Sequence, residues 1–167
     1  MFAPAAVRYT AVMPDRVAAR FIEPMLLLKT DALPDDRARW SYQLKLDGYR
    51  AIVVKSRGSV SVRSRNNHDF TKRYPSVLPG LAGLPNDTVI DGEIVALDEH
   101  GKPSFNLLQG FDNGQAIVLY AFDLLMLRGK DVRLWPLEDR REQLREIIPA
   151  LPDTIRYSET FNVPFQN

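Results

Sequence analysis

The sequence predicts an α+β domain that is built on antiparallel sheet. Three observations favour this class: predicted strands outnumber predicted helices, short polar turns connect successive strands, and one segment near the C-terminus has a clear helical period. The chain has 167 residues, of which 45% are apolar and 26% are charged, and this is enough for one domain with a sizeable core.

Residues 1–34 are predicted to form an N-terminal arm, and residues 35–167 the body on which it packs. Prolines interrupt regular structure in the arm, and the apolar run at residues 25–28 is expected to hold it against the body. The first 20 residues contain no continuous apolar segment that would serve as a signal peptide or a membrane span. We therefore expect a cytoplasmic protein without membrane contact.

The next segments predict a hairpin with a basic face. Strands are expected over residues 42–46 and 49–55, and a polar turn follows at residues 56–59. In residues 60–65 small or apolar side chains alternate with polar and basic ones, which is typical of a strand with one buried face.

Two more strands are predicted downstream. Residues 88–97 form the first, which we expect Asp91 and Gly92 to interrupt. Residues 116–127 are nearly all apolar, with β-branched and aromatic members, and this favours a central buried strand, although period alone leaves a helix open.

The clearest helix is predicted to begin at Pro136 and to end before Pro149. Leu137 and Leu144 lie seven residues apart on its apolar face. A shorter helix is expected within residues 70–84, where prolines limit its length.

The amino-acid composition excludes several kinds of functional site. The chain has no cysteine, which excludes disulfide frameworks, thiolate metal sites and cysteine nucleophiles, and it has only two histidines, which argues against a histidine-rich metalloenzyme. Charge is segregated along the chain: residues 45–75 carry eight basic and two acidic side chains, whereas residues 76–127 carry one basic and seven acidic. The basic block suits phosphate-bearing partners, and the acidic block suits metal or ribose hydroxyls, but two solvated strand faces are equally compatible with charge alone.

Two short motifs carry candidate chemistry. Residues 45–50 (KLDGYR) join two predicted strands, so that Lys45 and Asp47 would project to the same face and Gly48 would let the backbone bend. A lysine amine becomes a nucleophile when burial or neighbouring cations favour its neutral form. The second motif is the acidic step at residues 91–93, whose carboxylates need partners if they are buried. A charged strand end and a solvated turn are the alternative interpretations.

The order and spacing of these motifs resemble those of the covalent nucleotidyltransferases. The matches are Lys45 to Arg50 with the signature Lys-x-Asp-Gly-x-Arg, Ser64-Arg65-Asn66 with the second motif, Asp91-Gly92-Glu93 with the third, residues 120–125 with the aromatic motif, and residues 136–144 with the helix after it. Flanking residues 21–26, 40–42 and 101–109 are similar to the ligase module of bacterial ATP-dependent DNA ligases of the end-joining (ligase D) type.

The resemblance implies the nucleotidyltransferase fold of DNA ligases and messenger-RNA capping enzymes, in which two antiparallel sheets flanked by helices hold the nucleotide. It implies that Lys45 attacks the α-phosphorus of ATP and forms a lysyl-AMP intermediate, from which DNA strand breaks are sealed in repair and recombination. The implied cofactors and partners are ATP with Mg²⁺ or Mn²⁺, broken double-stranded DNA contacted through its backbone phosphates, and end-joining proteins. The setting would be bacterial and nucleoid-associated.

The same resemblance assigns roles to single residues. Asp47 and Arg50 would act beside Lys45 in catalysis, with Asp47 as the carboxylate on the metal side. Glu93 would accept a hydrogen bond from a ribose hydroxyl, and Phe122 would stack on adenine. The remaining nucleotide contacts would come from Leu44, Arg50 and Arg65. The residues expected to meet DNA phosphates are Lys55, Arg57, Arg63, Arg65, Lys72 and Arg73.

The sequence also departs from the family pattern. Gln43 and Leu46 replace residues common beside the lysine, so we expect altered adenine contacts. The chain ends before the family's later Glu-Gly-x-x-x-Lys and Lys-x-Lys motifs and its oligonucleotide-binding domain, so we expect a partial adenylation domain with impaired activity. The alternatives are an inactive nucleotide- or DNA-binding remnant and an RNA-end nucleotidyltransferase.

Overall fold

A computed structural model of the chain describes residues 16–31, 40–110, 115–148 and 151–161. In this part of the chain, a large six-stranded sheet lies beside a small sheet of two short strands. The strands are β1 (Tyr42–Gln43), β2 (Tyr49–Ser56), β3 (Ser59–Ser64), β4 (Thr88–Leu97), β5 (Ala116–Leu127), β6 (Lys130–Asp131), β7 (Ile155–Tyr157) and β8 (Thr160–Phe161). The helices are α1 (Leu78–Leu81), α2 (Phe105–Gln109) and α3 (Leu137–Ile147), with a 3₁₀ turn at Pro75–Val77 before α1.

Antiparallel pairing dominates both sheets. The large sheet has the order β3-β2-β4-β5-β6, and β7 pairs with β5 in parallel. The small sheet is the antiparallel pair of β1 and β8. The α+β class predicted from the sequence is confirmed, and β5 is a strand over its full predicted length, with β4 on one side and β6 and β7 over parts of the other side.

The basic hairpin forms as β2 and β3. Its two-residue turn places Arg57 at φ 50° and Gly58 at φ 80°, a left-handed pair that suits the twist of a tight hairpin.

Two element predictions were wrong in detail. The strand expected over residues 42–46 stops at Gln43, and residues 44–47 form an irregular loop. The interruption expected at Asp91 and Gly92 does not occur, because β4 is continuous and the irregularity lies in its partner β5. The short helix predicted within residues 70–84 is confirmed as the 3₁₀ turn and the single turn of α1, since the prolines there break a longer helix.

Helix α3 is close to its prediction. It begins at Leu137, directly after Pro136, and its apolar side includes the buried Leu144. Pro149, which was expected to end it, lies outside the described residues.

The two faces of the large sheet have different partners. The helix face carries residues such as Val53, Ile90 and Leu124, which pack against all three helices in the main core. The opposite face, here called the cleft face, is covered at one end by the N-terminal segment through Ala19 and Ile22. The other end of the cleft face is open.

The N-terminal segment is held differently from the prediction. Its apolar contact comes from Ala19, Phe21 and Ile22, whereas residues 25–28 are between 59% and 94% exposed. Hydrogen bonds from the Ala19 amide and the Ser56 hydroxyl to the Asp87 carboxylate fasten the segment to the sheet and lower the pKa of Asp87. The boundary predicted at residue 34 lies outside the described residues.

Candidate active site

The open end of the cleft face contains two adjoining hollows of about 670 and about 420 Å³. Lys45, Arg50 and Glu93 line both hollows, so we treat them as one cleft. Asp47 and Arg65 line the larger hollow. Leu44 and Phe122 line the smaller one. The sequence-predicted nucleotide residues therefore meet in one place, although they come from the loop before β2 and from β2, β4, β5 and the end of β3.

The loop at residues 44–47 presents the lysine. Lys45 and Asp47 are exposed and not held in a strand, so the pleat predicted to align them is absent. Leu46 packs on Val95 and anchors the loop to the sheet. A Cβ at Gly48 would collide with the carbonyl oxygen of Ile94, so glycine is required for the loop to pass this close to β4.

Arg50 is held by a carboxylate on the neighbouring strand. Its Nη2 donates to Asp91 Oδ2 at 2.6 Å, and its Nε donates to Oδ1 of the same carboxylate. Burial acts to lower the pKa of Arg50, but the hydrogen bonds and negative charge of Asp91 outweigh it and raise the pKa. Such a bidentate pair fixes the guanidinium plane. Asp91 was predicted to need a partner, but the sequence did not identify Arg50 as that partner.

Glu93 is the second carboxylate of the cleft. It lies opposite Arg50 in the register of β2 and β4. Burial raises its pKa to about 7, against the opposing effect of the Arg50 charge. Glu93 therefore changes protonation state near neutral pH, unlike an ordinary surface glutamate.

Phe122 brings an aromatic ring into the cleft. The Arg50 guanidinium lies over this ring, 4.6 Å from its centroid. The next residue, Asp123, is bound by Arg140 of α3. The Nε and Nη2 atoms of Arg140 donate hydrogen bonds to its two carboxylate oxygens at 2.8 and 3.0 Å. The sequence predicted the ring but not the arginine that holds its neighbour.

Residues 24–166 match the family described as the ATP dependent DNA ligase domain. The chain belongs to the ATP-dependent DNA ligase family. The resemblance stated from the motifs is confirmed, and so is the ligase-domain fold.

Curated relatives give the same family. The multifunctional non-homologous end joining protein LigD of Pseudomonas aeruginosa is 41% identical over 129 residues, which make up 74% of this chain and 15% of that protein. DNA ligase C of Mycobacterium tuberculosis is 32% identical over 138 residues, or 76% of this chain and 38% of that protein. The chain thus spans well under half the length of these relatives.

Solved structures agree with the fold. A mycobacterial DNA ligase D complexed with ATP and MES has a TM-score of 0.65 and 33% identity, and the match covers 74% of this chain and 40% of that one. The ligase domain of Mycobacterium tuberculosis LigD has a TM-score of 0.66 and 32% identity, with coverage of 75% and 42%.

The basic residues predicted to meet DNA differ in their surroundings. Arg65 lines the cleft, whereas Arg63 lines a separate groove together with Arg20. Lys72 is exposed, and the exposed Arg73 lies over the rings of Tyr49 and Tyr74.

Lys55 is the one predicted DNA contact that the structure contradicts. It is only 6% exposed, and its Nζ donates to the carbonyl oxygens of Gly58 at 3.2 Å and Ala82 at 3.1 Å. These bonds tie the hairpin turn to the end of α1. Lys55 therefore has a structural role. Counting basic residues along the chain does not distinguish such a buried lysine from an exposed one.

Metal binding has limited support from the protein alone. The described residues contain no group of three or more side chains of the kinds that hold a metal ion. Asp47 lines the cleft beside Lys45, and a single carboxylate is a suitable protein ligand for a metal ion that is otherwise bound by phosphates and water. None of the helices in the described part of the chain has the length and apolar character that a transmembrane helix needs.

Proposed function

We propose that the cleft binds ATP and that Lys45 becomes adenylylated, as the first step in sealing a DNA strand break. The observation that carries this proposal is the convergence of an exposed lysine, a half-buried carboxylate and an aromatic ring on one cleft, at Lys45, Glu93 and Phe122. These three groups suit the phosphates, the ribose and the base of one nucleotide.

The chemical step is nucleophilic catalysis by an amine. The neutral Lys45 Nζ attacks the α-phosphorus, a P–N bond forms, the bond to pyrophosphate breaks, and the amine proton passes to solvent. The AMP would then move to the 5′-phosphate of a DNA break, and the 3′-hydroxyl would displace it as the phosphodiester forms.

The remaining cleft residues position the nucleotide. Phe122 offers a flat ring for adenine, and Glu93 in its ionised form accepts a hydrogen bond from a ribose hydroxyl. Arg50 is already bound to Asp91, so it contributes a fixed positive charge beside the phosphates rather than a free arm. Leu44 borders the base side of the cleft.

A divalent cation such as Mg²⁺ or Mn²⁺ would be held by Asp47 together with triphosphate oxygens. When bound, it would supply neutralisation of the phosphate charge. This role for Asp47 rests on its place in the cleft beside Lys45.

DNA is the proposed second substrate. Arg65 in the cleft, with the exposed Arg57, Lys72 and Arg73 and the half-buried Arg63, would contact backbone phosphates without selecting sequence. The names of the relatives in non-homologous end joining support repair of broken ends, with end-joining proteins as partners. The location that we propose is the bacterial nucleoid, where the DNA substrate lies.

Labelling with radioactive ATP tests the proposal. We expect α-labelled ATP with Mg²⁺ to leave label on the denatured chain, and Lys45→Ala to abolish it. Lys102→Ala changes an exposed lysine that lines neither hollow, so it is the matched control and should label normally. γ-Labelled ATP should leave no label because pyrophosphate departs. An unlabelled wild-type chain that still binds DNA would instead support an inactive DNA-binding remnant.

A further inference from the structure

Phe122 occupies a bulge in β5. Ala121 pairs with Gly92 and Asp123 pairs with Asp91, so Phe122 is an extra residue with no partner across the strand pair. A bulged residue is re-aimed relative to the regular pleat, and its backbone groups need partners outside the ladder. The direction of the Phe122 ring therefore depends on what holds the bulge.

Arg141 of α3 binds this bulge through hydrogen bonds. Its Nη1 donates to the Phe122 carbonyl oxygen at 2.9 Å, and its Nη2 donates to the Ser158 carbonyl oxygen at 2.6 Å. Ser158 in turn donates its amide to the Ala121 carbonyl oxygen at 2.8 Å. The carbonyls of both residues around the bulge are thus bound through one guanidinium and one loop residue.

The environment of Arg141 is unusual for an arginine. The residue is 6% exposed, and its guanidinium stacks on Tyr157 at 4.8 Å from the ring centroid. Within the described residues, no carboxylate forms a salt bridge with it. Burying a cation against carbonyls and a ring, without a carboxylate partner among the described residues, is costly compared with burying an apolar side chain, so general stability does not explain an arginine here.

The contacts also reach the lysine loop. The Ser158 carbonyl oxygen that accepts from Arg141 accepts a second hydrogen bond, from Gln43 Nε2 at 3.3 Å. Gln43 ends β1, two residues before Lys45. One guanidinium therefore connects the bulge that carries the aromatic ring with the strand that leads to the nucleophile.

We propose that Arg141 is a positioning residue that sets the Phe122 ring for stacking on the nucleotide base. This inference rests on the proposed function for its consequence in ATP binding, but its geometric part concerns the free protein. Arg141 lines neither hollow of the cleft, so it acts through the residues that it binds.

The geometric part is tested without nucleotide by ¹⁹F NMR of the chain labelled with 4-fluorophenylalanine. The Phe122 signal is assigned from its loss in Phe122→Leu. We expect Arg141→Gln to shift or broaden that signal and to leave in place the signal of Phe105, which is partly buried against the main core. Arg145→Gln is the matched control, because Arg145 also stacks on Tyr157 but makes no hydrogen bond to β5.

The functional part is tested by the ATP dependence of Lys45 labelling. We expect Arg141→Gln to raise the half-saturating ATP concentration about tenfold while the maximal rate changes by less than about threefold, as for a loss of binding alone. Arg141→Lys, which keeps the charge but lacks the planar fork, should recover part of the affinity.

The NMR and labelling experiments together distinguish failure of the proposed function from failure of the inference about Arg141. If wild type takes no label, the proposed function fails while the NMR result still decides whether Arg141 sets the ring. An unchanged Phe122 signal in folded Arg141→Gln would overturn the inference. Unfolding of both the Gln and Lys variants, measured by circular dichroism, would also overturn it, because Arg141 would then hold the fold rather than the ring.

Discussion

At the scale of single residues, Glu93 has a pKa well above that of an ordinary glutamate. Burial raises its pKa from 4.5 to about 7. Between these two pH values the folded chain retains a proton that the unfolded chain has released. The stability contributed by Glu93 is therefore greatest at low pH and is lost as pH rises through this window.

We predict that Glu93→Gln removes the loss of stability that Glu93 causes as pH rises through this window. Near pH 5 the variant and wild type should have similar unfolding free energies, because protonated glutamate and glutamine are close in shape and charge. At pH 8 the variant should be more stable by about 1–2 kcal/mol, less than the full pKa shift implies because the carboxylate borders the open cleft. Urea unfolding at both pH values measures the difference. The exposed Glu99→Gln is the control, and a less stable Glu93→Gln at pH 8 would contradict the assignment.

Most residues that line the cleft could be predicted from the sequence, whereas the residues that hydrogen-bond to them could not. Lys45, Asp47 and Glu93 belong to short motifs whose spacing is visible in the sequence. The pairing of Arg50 with Asp91 depends on the register between β2 and β4, which joins positions 41 residues apart. The burial of Lys55 depends likewise on tertiary contacts, so a count of charges along the chain could not reveal it.

At the scale of elements, the loop before β2 depends on a glycine. We predict that Gly48→Ala destabilises the chain by about 2 kcal/mol or more, because the new methyl group would meet the Ile94 carbonyl oxygen and the Val95 side chain. Gly110→Ala is the control, since the atom nearest to its added Cβ is at 3.6 Å, an ordinary contact. Thermal unfolding of both variants tests this, and equal stabilities would show that the loop can move away from β4.

The N-terminal segment gives a second contrast between elements. Ile22 is 8% exposed in the cluster on the cleft face, whereas Leu28 is 94% exposed. We predict that Ile22→Ala costs about 2–3 kcal/mol and that Leu28→Ala stays within about 0.5 kcal/mol. Chemical denaturation measures both. The reverse order would restore the prediction that residues 25–28 hold the arm.

Sequence patterns predicted strand and helix types better than their limits. The alternation in β3 and the long apolar run of β5 identified both strands. The bulge at Phe122 left no local signal, because a bulge is defined only against the partner strand. Pro75 and Pro79 were expected to limit a helix, and α1 is accordingly a single turn.

At the scale of the whole molecule, near-neutral net charge conceals a polarised chain. The basic residues around the cleft are expected to bind DNA through phosphates, so affinity should fall with salt. We predict that Arg65→Ala lowers the slope of log affinity against log salt by about one for nicked duplex DNA. Arg133→Ala is the control, because Arg133 is paired with Asp131 outside the cleft. Fluorescence anisotropy at several salt concentrations measures both slopes, and equal slopes would remove Arg65 from the DNA surface.

The central claim for the molecule is that the cleft forms a covalent lysyl-AMP at Lys45. Peptide mass spectrometry after incubation with ATP and Mg²⁺ tests it most directly. We predict an added AMP on the peptide containing Lys45, its removal by excess pyrophosphate, and its absence in Lys45→Ala. No adduct on the wild-type chain, or an adduct on another residue that persists in Lys45→Ala, would contradict adenylylation at Lys45.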